Sequence, residues 1–107
     1  GIGIGKKSAS GKICVGSSSK ELEGKFEEGD ILVSQYTDKD MVNFMEKASA
    51  IIVEQGGLTC HAAIVGLNLG KPTIVGATNA TNILKEGEIV TVDTIAGRIY
   101  KGEAKVL

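Results

Sequence analysis

The chain has 107 residues, a formal net charge of −1 and 42% hydrophobic residues, which suits one small domain with a modest core and is too interrupted for a membrane span. No cluster of lysine and arginine is long enough to track nucleic acid. Two cysteines, a single histidine and no Cys-x-x-Cys spacing exclude a disulfide framework and a zinc-type site, and no basic segment followed by an apolar stretch opens the chain as a signal peptide would, so a reduced, cytoplasmic setting is expected.

The first five residues alternate glycine and isoleucine, which leaves too little side chain to set a strand register, so 1–10 is read as a possible linker or a broken edge. A start at Gly1 without methionine reads as a piece of a longer chain. Lys12, Ile13, Cys14 and Val15 predict a short strand. Residues 17–28 are polar and charged, a solvated loop or a short surface helix. A turn at Gly29-Asp30 precedes a strand at Ile31, Leu32 and Val33. Thr37 or Asp38 is placed to cap a helix whose apolar face is Met41, Phe44, Met45 and Ala48. Asp38 and Asp40 alone offer too few oxygen ligands for Mg²⁺. Residues 48–53 form the next strand.

Residues 51–76 organise the chain. Ile51, Ile52 and Val53 lead into a glycine turn at Gly56-Gly57. A polar trio, Thr59, Cys60 and His61, opens a helix whose apolar residues recur from Ala62 to Leu69. Pro72 lies past its end, and Thr73, Ile74 and Val75 start another strand. A short helix over 79–84, a strand over 88–93, a turn over 94–97 and a returning strand at Arg98, Ile99 and Tyr100 complete an α/β chain with a terminal hairpin. Gly97 is free to take a positive φ. Residues 103–107 form a tail, with room for one more edge strand. Glycine, 15 residues, is about twice its usual share of roughly 7%, as expected of tight turns between short strands.

His61 falls in the first turn of its helix, where unpaired N–H groups and the helix dipole favour negative charge. An imidazolium is disfavoured there, so a neutral, nucleophilic ring is expected. If it took a phosphoryl group, the same N–H groups could receive the phosphate oxygens. Thr59 is read as a helix cap or a hydrogen-bond partner of the imidazole or phosphate. Gly56 and Gly57 are read as a turn that also brings backbone close to a phosphate. A cysteine nucleophile activated by His61 is not expected, because adjacent residues on a helix point apart.

Residues 56–63, Gly-Gly-Leu-Thr-Cys-His-Ala-Ala, closely resemble the phosphohistidine signature of the phosphoenolpyruvate-utilising enzymes, among them pyruvate phosphate dikinase, phosphoenolpyruvate synthase and enzyme I of the sugar phosphotransferase system. The flanks GDILV, TDKD, AIIVEQGG and VTVD extend the likeness over nearly the whole chain. GIGIG and GLNLGKPTIVGATNAT look most like the C-terminal extension of some bacterial pyruvate kinases. The resemblance implies a swivelling β/β/α phosphohistidine domain, with a sheet packed on further strands and helices outside. It implies His61 as phosphoryl acceptor, with Thr59, Cys60, Gly56 and Gly57 binding or supporting the phosphate. It implies no metal or cofactor in this domain: Mg²⁺ and ATP or phosphoenolpyruvate would belong to other domains of the parent enzyme. Through those domains the partners are phosphoenolpyruvate, pyruvate, ATP and ADP. Two other readings stay open, a non-catalytic structural or regulatory module of pyruvate kinase and a carrier domain of a synthase or dikinase. The chain departs from the family pattern in two places. Val42-Asn43 stands where the family has a proline, and Gly66-Leu67 where it often has an arginine, which removes a charge that could neutralise phosphate.

Overall fold

A strand buried on both faces reads as an unbroken apolar run, and the middle of this chain carries three such runs. The structure, a computed structural model, describes residues 2–5, 8–57 and 60–101. Its strands are β1 (Ile2–Ile4), β2 (Ser8–Val15), β3 (Ile31–Ser34), β4 (Ala50–Val53), β5 (Thr73–Val75), β6 (Ile89–Asp93) and β7 (Arg98–Lys101). The helices are α1 (Ser19–Leu22), α2 (Val42–Lys47), α3 (His61–Leu69) and α4 (Ala80–Ile83), with a single 3₁₀ turn at Lys39–Met41. The strands form one sheet in the order β1-β5-β4-β3-β2-β6-β7.

Parallel neighbours need a crossover connection, and α2 and α3 supply it between β3, β4 and β5, which pair in parallel. Alternation along these strands divides the core in two. Leu32, Ile51, Val53 and Val75 point to one side with Cys14, where Met41, Met45, Ala62 and Ala63 cover them. Ile31, Val33, Ala50, Ile52 and Ile74 point to the other with Ile13, where Val90, Val92 and Ala80 close over them. Each fully buried Ile, Leu or Val contributes roughly 1.5–3 kcal/mol relative to exposure.

β2 makes this layering possible. Its C-terminal part, Ile13 to Val15, pairs in parallel with β3, and its first five residues pair antiparallel with β6. One strand thus belongs to both the central sheet and the terminal hairpin, and the sheet curls over on itself. The hairpin itself forms as expected, with Gly97 at φ 65° in its turn.

Three expectations change. Residues 8–10 are strand, and Ile2–Ile4 forms the edge partner of β5, antiparallel to it. The glycine between the two isoleucines has a reason that local sequence does not show: a Cβ on Gly3 would stand 1.9 Å from the carbonyl oxygen of Thr94. The Thr94 hydroxyl also donates to the Gly5 carbonyl, so the two ends of the curled sheet meet. Second, the polar 17–28 segment is more than a solvated surface. Leu22 is fully buried, and Ser18 caps α1 by accepting from the Glu21 N–H while the Glu21 carboxylate accepts from the Ser17 N–H at 2.9 Å. That Ser-x-x-Glu spacing is close to a capping box. Third, Ala48 ends α2 and does not begin β4. The tail at 103–107 lies outside the described residues.

α3 closes tightly on β5 because position 66 has no side chain. A Cβ there would meet Thr73 Oγ1 at 2.1 Å and Thr73 Cβ at 3.1 Å. Gly66→Ala should therefore lower stability by about 1–3 kcal/mol despite its better helix propensity. Denaturant unfolding measures this, and adding Thr73→Ala should restore part of the loss by removing the nearer atom.

Candidate functional site

In an open parallel sheet, helices that follow strands start near the strands' carboxyl ends, and their N-termini face whatever binds there. Here the chain leaves β3, β4 and β5 at one such edge, and backbone bonds tie the three exits together. The Glu54 N–H donates to the Ser34 carbonyl at 3.1 Å and the Gln55 N–H to the Gln35 carbonyl at 3.0 Å. The Gly76 N–H donates to the Gln55 carbonyl at 2.9 Å and the Ala77 N–H to the Val53 carbonyl at 3.0 Å. The Glu54 carboxylate accepts from the backbone N–H of Thr81 at 2.9 Å and from its hydroxyl, which fastens α4 to the same loop. These bonds hold the Glu54 carboxyl below its ordinary range.

The loop then passes through Gly56 and Gly57, both exposed. Gly57 has φ 104°, a conformation that side chains rarely adopt. The Cys60 N–H reaches back toward the Gly57 carbonyl at 3.4 Å, and Cys60 takes the N-cap position of α3. Its side chain makes no capping bond, so it leaves the first-turn N–H groups of the helix without an acceptor from the cap residue. The expected capping or phosphate role of Thr59 lies outside the described residues.

His61 begins α3, half-buried rather than fully exposed. Its Nδ1 lies 2.8 Å from Thr37 Oγ1. Thr37 is only 5% exposed and stands just beyond β3. Sequence reasoning offered it as a helix cap, but the cap of the 3₁₀ turn is Asp38, whose carboxylate accepts from the Asp40 N–H at 3.0 Å. Thr37 is thereby free to face the imidazole. The sequence holds no local signal for this contact, since it joins two strand exits that are neighbours only in the sheet.

The site thus gathers Gly57, Cys60 and His61 from the signature and adds Thr37. Cys14, the other cysteine, is a core residue on the helix side of the sheet, and both cysteines are free. Burial, reinforced by the Glu86 carboxylate, pushes the Cys14 thiol up to about 11. α3 carries no Asp, Glu, Lys or Arg, and its outward positions include Ile64 and Leu67, 49% and 62% exposed. A surface helix ordinarily shows a polar outer face. Among the described residues no group of three His, Cys, Asp or Glu side chains could hold a metal ion, and no helix is long and apolar enough to cross a membrane.

The profile of the family described as PEP-utilising enzyme, mobile domain, matches residues 26–97. The chain belongs to this family. It is 54% identical over 107 residues to a pyruvate kinase of Bacillus licheniformis, covering 100% of this chain and 18% of that protein. It is also 51% identical over 102 residues to a probable phosphoenolpyruvate synthase of Archaeoglobus fulgidus, covering 95% of this chain and 13% of that one. The mobile domain therefore spans less than a fifth of these relatives. Among solved structures, an Enzyme I protein aligns over 76% of this chain and 34% of its own with a TM-score of 0.62 and 25% identity. An aconitase X of Thermococcus kodakaraensis aligns over 96% of both chains with a TM-score of 0.68 at 20% identity, a likeness of fold. The mixed α/β architecture with its curled sheet is that of the mobile domain.

Two measurements check the environments described here. Iodoacetamide at mildly alkaline pH should modify Cys60 in the native mobile domain and reach Cys14 only after unfolding, as peptide mass mapping would show; equal labelling of both would contradict the burial of Cys14. For Glu54, a folded value below the unfolded one means a contribution to stability that is complete above pH 4.5 and fades as pH falls through the lower folded value. Thr81→Ala should remove most of the shift, read by titrating the Glu54 side-chain resonance.

Proposed function

We propose that this mobile domain carries a phosphoryl group on His61 Nε2 within a phosphoenolpyruvate-handling phosphotransferase, most closely as the C-terminal extension of a pyruvate kinase. The contact that carries this reading is Thr37 Oγ1 to His61 Nδ1 at 2.8 Å. A neutral imidazole has one N–H and one lone pair. With the proton on Nδ1 and donated to Thr37, the lone pair is on Nε2. Nε2 attacks the donor phosphorus, the donor's P–O bond breaks with its electron pair leaving on oxygen, and an N–P bond forms. Nδ1 keeps its proton, so the positive charge that develops on the ring faces the Thr37 oxygen. The first-turn N–H groups of α3, which the N-cap side chain leaves unbonded, would receive phosphoryl oxygens. Gly56, Gly57 and Cys60 bring backbone and little side-chain bulk to the same place.

Donor and Mg²⁺ would be bound by other domains of the parent enzyme, either phosphoenolpyruvate or ATP serving as donor. Relatives several times longer than this chain support that division of labour. The uncharged outer face of α3, beginning one turn from His61, suits repeated docking against such domains, where a fixed charge would have to be desolvated each time. A synthase or dikinase parent would use the same His61 chemistry.

One observation favours a second reading, a structural or regulatory module of pyruvate kinase. α3 has no lysine or arginine, and Gly66-Leu67 stands where an arginine could neutralise phosphate.

Incubating the full-length parent protein with phosphoenolpyruvate or ATP and Mg²⁺ separates the two. The carrier reading expects an acid-labile, base-stable phosphate on His61 by mass spectrometry, absent in His61→Ala. Thr37→Val should slow its formation about tenfold, the loss of one orienting hydrogen bond, while Thr37→Ser should retain it. No modification with either donor, together with unchanged kinase activity in His61→Ala, would leave the structural module.

A further inference from the structure

On the layer of the molecule away from α3, a cleft of about 310 Å³ opens between α4 and the β6–β7 hairpin. Ala80 and Val90 are buried at its base, while Ile99 and Leu84 are half-buried at its sides. Ile83 lines it while remaining 66% exposed. Two polar residues complete the lining, Thr78 and Lys101, which bring a hydroxyl and an ammonium to an otherwise aliphatic wall. Ile99 and Lys101 alternate on β7 so that both face this side of the sheet. Among the described residues the ion pairs are Lys12 with Glu27 and Lys25 with Glu86, so Lys101 has no carboxylate partner among them. An apolar hollow with one unpaired cation and one hydroxyl at its mouth matches a ligand with a compact hydrocarbon body and a single negative head.

We propose that this cleft binds a small aliphatic monocarboxylate, its body against Val90 and Ile99 and its carboxylate on Lys101, at a site separate from His61. A ligand of so few atoms binds with a Kd on the order of millimolar. A single exposed ion pair adds about a two- to fivefold preference for the charged form. The test is an NMR titration of the 107-residue chain with isocaproate and with its uncharged analogue isocaproamide, following backbone amides. Isocaproate should shift Ala77, Ala80, Val90 and Ile99 at low salt and leave the α3 amides in place, with isocaproamide binding more weakly. Lys101→Met should erase the difference between the two ligands, and Ile83→Glu, a change at an exposed position, should weaken isocaproate by repulsion. The proposal is overturned if isocaproate causes no localised shifts up to tens of millimolar, if both ligands bind equally to the unaltered chain, or if Lys101→Met leaves the preference intact.

Discussion

Three parallel strands buried on both faces set the terms for everything else in this domain. A parallel pair cannot be joined by a tight turn, so β3, β4 and β5 require crossover helices. α2 and α3 cover one face. The other face must be covered by strands, and the β6–β7 hairpin does this because β2 bends from one partner to the other halfway along its length. Layering, curl and the place of the helix starts all follow from the need to hide both sides of those apolar runs.

The same constraint builds the site. Each crossover leaves a strand at its carboxyl end, so the β3 exit and the β4 exit lie side by side, cross-bonded at Glu54 and Gln55. Thr37 comes from one exit and His61 from the other. Their contact needs no loop of special design, only the neighbouring positions of β3 and β4 in the sheet. It holds the ring by Nδ1 at the start of a helix whose N-cap residue makes no side-chain bond. An imidazole held by a hydroxyl and the N-terminus of a helix therefore share one point in the fold.

Glycine serves opposite purposes in different parts of the chain. At Gly57 the backbone turns through φ 104° to enter α3. At Gly66 and Gly3 the missing side chain is what counts, because Thr73 and the Thr94 carbonyl occupy the space a Cβ would take. The aliphatic surface is likewise uneven. Ile64 and Leu67 are exposed near His61, and Ile83 is exposed by the cleft on the opposite layer, so the two apolar areas belong to different sides of the molecule.

The sequence by itself determined the strands at 31–33 and 73–75, the helix opening at His61 and the terminal hairpin. Apolar periodicity, glycine turns and helix boundaries are local properties that propensity can read. The eight-residue signature likewise placed the histidine and its family. Tertiary structure alone decided that the Gly-Ile repeat is a paired edge strand, that Leu22 is core, that β2 pairs with both β3 and β6 and that Thr37 holds the imidazole. Each of these depends on a partner distant in the chain: Gly3 on Thr94, Leu22 on the helix-side core, the two halves of β2 on β3 and β6, Thr37 on His61. Local sequence can mark Thr37 as a good cap. Only the pairing of β3 with β4 brings its hydroxyl to the ring, because strand order in a sheet is settled by which apolar faces bury one another and not by any residue's own preference.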